Sequence, residues 1–476
     1  MPCASAVSNE CSNSRWCQFM IEDLVIIGAG PAGLAAAKSA SPYVSRIILI
    51  DNNPRLGGQY WRHLGKEWID RDIAHFDLET GLTKIESVKK LNNIEIWSDT
   101  QVWNAQLQNG EITLRLLRQN EEKVLICRKV IVATGAYDRS IPFPGWDIPG
   151  VMTCGGAQAL LKGQGVIAGK KIIVAGSGVF LLPVASGLVK ANANVVELLE
   201  ANSGTIFNPR ALKLALNLSK LKEALSYLAA ILKAGVKPKF REAVVAAHAN
   251  AEGILSQVTI AKLDRNWNIK KVRTVECDLL AVGYGFTTDP GLISALGVAM
   301  KVDIDSNVVV KVNKNHQTSA SNIYAAGELT GIGGKDLALL EGEIAGLSAV
   351  NAKVPFRLRM KYLVAKSFAN TLKKIYPIRN GWMNWLEANT IICRCEEVSL
   401  AKLQYSVSEL GASDSRTAKL LTRCGMGLCQ GRICSRAVVD LVSSQLEQPA
   451  SEKDRIATVK REVITPISLG VLAKDK

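Results

Sequence analysis

Several things are scarce in this chain of 476 residues, and each scarcity excludes a class of function. Aromatic residues make up only 6% of it, although its formal charge is +15. No RNA-binding or helix-turn-helix signature interleaves with those basic residues, so the charge points away from nucleic acid and toward an acidic partner or an anionic surface. Only four histidines occur, His63, His75, His248 and His316, with no metal spacing and no catalytic pair. The first twenty residues contain no continuous apolar run of the kind that directs secretion. The long charge-free run Ile172 to Val189 holds Gly176, Gly178, Pro183 and Gly187, so it reads as a buried strand, turn and helix. No transmembrane segment is expected, which leaves peripheral membrane contact open. Cysteine is not scarce but badly distributed: five of eleven fall between 393 and 434, while Cys3, Cys11 and Cys17 form no ligand spacing. Clustered thiols without an export signal read as metal or redox ligands in a reducing, cytoplasmic compartment.

What is present is glycine at ordered intervals. A hydrophobic content of 48% with 38 glycines suits an α/β protein, and the length suggests about three domains. The apolar run Leu24 to Ile27 is short enough for a buried parallel strand; Gly28-Ala29-Gly30-Pro31-Ala32-Gly33 follows, then the helix-forming run Leu34 to Lys38. A second strand, Ile47 to Ile50, ends at Asp51, 18 residues beyond Gly33. In such a unit Gly28 permits the turn, Gly30 lets backbone approach a pyrophosphate, and Gly33 allows helix and strand to pack closely. The helix N-terminus favours phosphate, and Asp51 stands where a carboxylate accepts from ribose hydroxyls.

The pattern then repeats. Lys171 to Ala175 leads into Gly176-Ser177-Gly178, and the strand Val195 to Leu199 ends at Glu200. Leu181 occupies the third glycine position, where its bulk is expected to alter packing and crowd a dinucleotide. Val130 to Ala133 ends in Thr134-Gly135, and Leu279 to Gly283 and Ile323 to Gly327 are further strands; Ile94 to Ile126 reads as a small β insertion and Ala211 to Lys233 as an amphipathic helix. The expected fold class is α/β: two nested Rossmann-like dinucleotide-binding folds plus a small C-terminal domain. The expected boundaries are an extension over 1–20, a discontinuous first fold over 21–150 and 276–350, and a second fold over 151–275. A solvated basic connector over 351–388, a cysteine domain over 389–445 and a tail over 446–476 complete the chain.

Cys393-Arg394-Cys395 is followed after 33 residues by Cys429 and then Cys434. Two sulfide-bridged irons need four thiolates, and two such loops supply a pair each. Gly425, Gly427 and Gly431 let backbone N–H groups reach sulfur. Structural zinc is the rival, although a one-residue spacer is tight for it. Cys424 is a fifth candidate ligand. Neither glycine fold carries the paired cysteines of a disulfide reductase, and lone Cys154 reads as packing.

Asp23 to Ala37, Gly57-Gly58-Gln59, Ala133-Thr134-Gly135 and Ala325-Ala326-Gly327-Glu328 resemble the markers of the two-dinucleotide-binding flavoproteins. That resemblance implies FAD, held by Gly28, Gly30, Gly33, Asp51, Gly58, Gln59, Thr134, Gly135, Gly327 and Glu328. Glu328 stands where those proteins place an aspartate on the ribityl chain, and Gly331, Gly333 and Gly334 would open the next helix. Gly176, Gly178 and Glu200 would take NAD or another adenine nucleotide. The cysteine segment resembles the bacterioferritin-associated-ferredoxin type of [2Fe-2S] domain, which implies Cys393, Cys395, Cys429 and Cys434 as ligands and Cys424 as their neighbour. The whole order is similar to the larger subunits of dye-linked amino-acid dehydrogenases and oxidases: those of opine oxidase and hydrogen cyanide synthase, and the alpha subunits of proline and hydroxyproline dehydrogenase. Residues 422–432 carry that match. It implies an electron-transferring subunit beside a smaller FAD-dependent partner that takes the amino-acid substrate; no catalytic residue is assigned. Two alternatives stand: a self-sufficient NAD(P)H-dependent reductase of its own cluster, and a non-catalytic nucleotide-binding scaffold.

Overall fold

Two sheets, one mixed and one parallel, account for the glycine motifs. The computed structural model describes residues 21–65, 77–203, 218–461 and 463–475. The expected extension over 1–20, with Cys3, Cys11 and Cys17, lies outside the described residues, as do His75 and the stretch 211–217 of the expected helix, which is described from Leu218 to Lys233.

In the first sheet the order is Ile94–Trp97, Ile47–Ile50, Glu22–Ile27, Glu121–Val132, Glu111–Arg118, Thr100–Gln108, with Ile323–Ala325 also on Glu121–Val132. Leu24, Val25 and Ile26 are buried on both faces, which is why their run does not alternate. The expected insertion over 94–126 divides in two. Ile94–Trp97 is a parallel strand on Ile47–Ile50, and only from Thr100 does the chain form antiparallel pairs. The twelve-residue strand Glu121–Val132 serves both parts, pairing antiparallel with Glu111–Arg118 and parallel with Glu22–Ile27.

The Pro31–Ala40 helix starts with proline in its first turn and turns Ala32, Gly33, Leu34, Ala36 and Ala37 inward. It crosses the Lys335–Ala349 helix through small residues: a Cβ on Gly342 would lie 2.0 Å from the Ala32 carbonyl oxygen.

In the second sheet the order is Pro238–Phe240, Asn194–Glu200, Lys171–Gly176, Leu279–Gly283, Val151–Thr153, all parallel. Leu279–Gly283 was expected to help complete the first fold but pairs along its length with Lys171–Gly176. Its apolar run suits either sheet, and position decided. The chain leaves and re-enters the first fold through an antiparallel ribbon, Ala136–Asp138 on Phe286–Thr288.

The connector is more than a solvated linker. Its Phe356–Ile375 helix keeps an exposed face, yet Lys373 pairs with Asp303, and Trp382 and Trp385 are buried. Trp385 stacks on Trp267, ring centroids 5.9 Å apart. These tryptophans belong to one apolar core that also takes in Ala243, Val245, Cys393, Cys434 and Val438, so the C-terminal segment shares its core with the second fold. The tail is packed as well: the Ile464 amide donates to the Trp103 carbonyl oxygen at 2.8 Å and Arg455 pairs with Asp440.

Candidate functional site

A cavity of about 1180 Å³ runs between the two glycine turns and is lined by both. At the first turn two glycines are required by contact. A Cβ on Gly33 would stand 1.7 Å from the Gly28 carbonyl oxygen, and one on Gly28 would stand 2.3 Å from that of Ala133. Gly30 differs: its Cβ would meet nothing closer than the Gly58 Cα at 3.8 Å, so the space beside it belongs to the cavity. Asp51 is buried and holds the turn from behind, accepting from the Ala29 amide at 2.6 Å and the Asn53 amide at 2.7 Å.

Gly58 and Gln59 face the same cavity, as do Thr134, Gly135, Gly327 and Glu328. The Thr134 hydroxyl donates to the Asp289 carbonyl oxygen at 3.0 Å, so it has a structural duty. Glu328 folds onto its own loop and accepts from the Gly333 and Gly334 amides at 3.0 and 2.7 Å; burial pushes its carboxyl up. Behind it Glu341 accepts from the Gly327 amide and the Thr330 hydroxyl, and burial raises its pKa to about 8. Sequence reasoning missed Glu341, which lies mid-helix without a motif.

The second turn repeats the design with one change. A Cβ on Gly176 would lie 1.8 Å from the Gly283 carbonyl oxygen, whereas one on Gly178 would meet nothing within 4 Å. Glu200 accepts from the Gly178 amide at 2.8 Å and the Asn202 amide at 2.8 Å, and burial raises its pKa to about 7. Leu181 does not crowd the turn. It is 3% exposed and packs inward with Cys154 and Val184, and Val179 and Phe180 line the cavity instead. Lys162 also lines it, near the Tyr60 ring, with its pKa lowered by burial to about 7. Among the described residues no cysteine lines this cavity; Cys154 is buried and donates to the Ala281 carbonyl oxygen.

A second cavity of about 260 Å³ is lined by Cys393, Cys395, Cys429 and Cys434. The Cys393 and Cys395 sulfurs are 3.9 Å apart, and those of Cys395 and Cys429 3.8 Å. Cys424 is absent from that lining but is no distant neighbour: its sulfur and those of Cys393 and Cys434 all lie within 4.8 Å of one another. The Cys424 and Cys434 thiols hold Cys393 well below the usual thiol range, and the Gly425 amide donates to its sulfur at 3.4 Å. A Cβ on Gly427 would stand 2.5 Å from the Cys395 sulfur. Backbone thus approaches the thiols where two glycines allow it.

The sequence profile of the pyridine nucleotide-disulphide oxidoreductases matches residues 22–347, which spans both sheets and both glycine turns. The chain belongs to this family. It is an FAD-dependent oxidoreductase, and a flavin is its expected cofactor. The oxidoreductase is 30% identical over 424 residues to hydrogen cyanide synthase subunit HcnB of Pseudomonas aeruginosa, covering 86% of this chain and 90% of that one. It is 27% identical to an opine oxidase subunit of Agrobacterium tumefaciens, covering 95% and 91%. Its fold matches the crystal structure of L-proline dehydrogenase from P. horikoshii with a TM-score of 0.67 at 22% identity, covering 95% and 79%. Those two sequence relatives are subunits of larger enzymes. Among the described residues no helix is long and apolar enough to cross a membrane.

Proposed function

We propose that this oxidoreductase is the electron-transferring FAD/[2Fe-2S] subunit of a hetero-oligomeric amino-acid dehydrogenase or oxidase of the opine, proline, hydroxyproline or glycine type. One observation carries the reading: the dinucleotide cavity and the four-cysteine cavity abut, with Arg139 and Thr153 lining both. The open space at Gly30, the turn held by Asp51 and the converging Gly327–Gly334 segment suit a flavin dinucleotide. Bound there, the flavin supplies two-electron chemistry that can be divided into single-electron steps. Four thiols on two loops, with glycine amides beside them, suit a [2Fe-2S] cluster, which takes one electron at a time.

The substrate is assigned to the partner because both glycine turns open on the large cavity and give it the features of a dinucleotide site. The Phe356–Ile375 helix supplies a docking face, with Phe356, Met360, Leu363 and Val364 exposed on one side next to Arg357 and Lys361. A thiolate-ligated cluster suits a reducing, cytoplasmic compartment.

The test is reduction of the purified chain. Proline, hydroxyproline, glycine and opines should leave flavin and cluster oxidised until the cognate smaller flavoprotein is added. Direct reduction of the isolated chain by any of them sinks the division of labour. A second reading has one observation in its favour: open space at Gly178 beside Glu200 suits NAD, and rapid bleaching of the flavin by NADH would promote a self-sufficient reductase.

A further inference from the structure

Arg139 follows the Ala136–Asp138 strand and is held by its amide, which donates to the Gly285 carbonyl oxygen at 3.0 Å. The residue lines the dinucleotide cavity and the cysteine cavity alike. Among the described residues its guanidinium has no ion pair and no hydrogen bond. The charged groups around it are already occupied. Arg455 takes Asp440 at 2.6 Å, Asn307 donates to Asp305, and Arg436 bonds the Asn307 side chain and the Asp305 carbonyl oxygen. Arg436 and Arg455 repel it while Asp440 and Asp305 attract it, so three guanidinium groups share two carboxylates.

Burial pushes the Arg139 guanidinium well below its usual range, and Arg436 adds to the effect. A guanidinium nevertheless keeps its proton inside proteins. The surplus cation in this group of charges therefore calls for a further anion nearby. The cysteine cavity provides one. Two ferric ions, two sulfides and four thiolates leave an oxidised cluster with two net negative charges, and reduction adds a third.

We infer that Arg139 is the internal counter-ion of the cluster held by Cys393, Cys395, Cys429 and Cys434, a positioning residue that raises the cluster's reduction potential and so draws electrons across the shared wall. The inference rests on the cluster reading above. It assigns to one side chain a charge that the cluster needs more once reduced than before, which is why the potential, rather than binding alone, reports it.

Redox titration of the holo-chain followed by electron paramagnetic resonance, with iron measured on the same samples, tests it. Arg139→Met should shift the cluster midpoint to more negative potential while iron is retained, and Arg139→Lys should restore most of the loss. Arg394→Met removes an exposed cation stacked on Trp146 at the rim and should shift it less. Arg139→Gln serves the same purpose if the Met variant does not fold. An unmoved cluster midpoint, or a shift confined to the flavin, overturns the inference and leaves the cluster standing. Iron-free wild-type protein after anaerobic purification overturns the cluster reading and the inference together.

Discussion

The two glycine turns are built on one plan and differ at the position that decides packing. In both, a strand-end carboxylate holds the turn through a backbone amide: Asp51 on Ala29 and Glu200 on Gly178. In both, the middle glycine faces open cavity. At the third position the first turn has Gly33 against a carbonyl oxygen and the second has Leu181 buried among apolar side chains. Leucine fits because its helix, Leu181–Lys190, begins there, whereas the first helix begins earlier, at Pro31. A missing glycine thus marks a different helix start, and the ligand face of the turn survives it.

The comparison breaks most sharply at the middle glycines. Gly30→Val should abolish flavin retention while the chain stays folded, since the new side chain fills cavity and meets little protein. Gly178→Val should keep the flavin, at some cost in backbone strain, because Gly178 has φ +113°. Visible absorbance after gel filtration, with circular dichroism as the folding control, reads both. Flavin retained in Gly30→Val would remove the first turn from the binding site.

The cysteine cavity gives an equally large contrast. Cys429→Ser should lose the iron, while Cys424→Ser should keep it, because Cys429 lines the cavity and Cys424 stands behind. Iron analysis decides, and loss in both variants would bring Cys424 into the ligand set. Because Cys393 and Cys434 share an apolar core with the second fold, cluster-ligand variants should also lower the melting temperature of that fold.

At the third position, Leu181→Ala should cost about 2–5 kcal/mol by opening a cavity in a close-packed core. Gly33→Ala should cost more, since backbone would have to move. Urea unfolding ranks the two, and the reverse order would show that Gly33 is not held as tightly as its contacts indicate.

The smallest effect concerns pH. Burial raises the Glu200 pKa to about 7, so the folded chain holds this proton more tightly than the unfolded chain does. The stability contributed by the protonated form is therefore full below the ordinary carboxyl range and is lost as pH rises toward about 7. Glu200→Gln should flatten that part of the stability curve, by up to about 3 kcal/mol. An unchanged slope would mean the carboxylate is solvated.

Much of this was legible because the relevant constraints are local. Gly28, Gly30, Gly33 and Asp51 lie within one strand–turn–helix–strand unit, and the spacing of turn to acid follows from the length of one helix and one strand. The pairing of Cys393 with Cys395 is likewise a matter of chain reach. Arg139, Lys162 and Glu341 carried no such signal. Their environments come from segments far away in the chain, and burial, which perturbs all three, is a property of the assembled fold.

The amino-acid order by itself determined the two dinucleotide folds, their glycine turns and the cysteine loops, since each is specified by side-chain size and periodicity within a few tens of residues. Only the tertiary structure decided which sheet received Leu279–Gly283, because an apolar run fits either and hydrogen-bond register with Lys171–Gly176 made the choice. It also decided that the connector's tryptophans would be buried and that two cavities would share a wall at Arg139. Packing joins residues by distance in space, and a linear pattern carries no record of that distance.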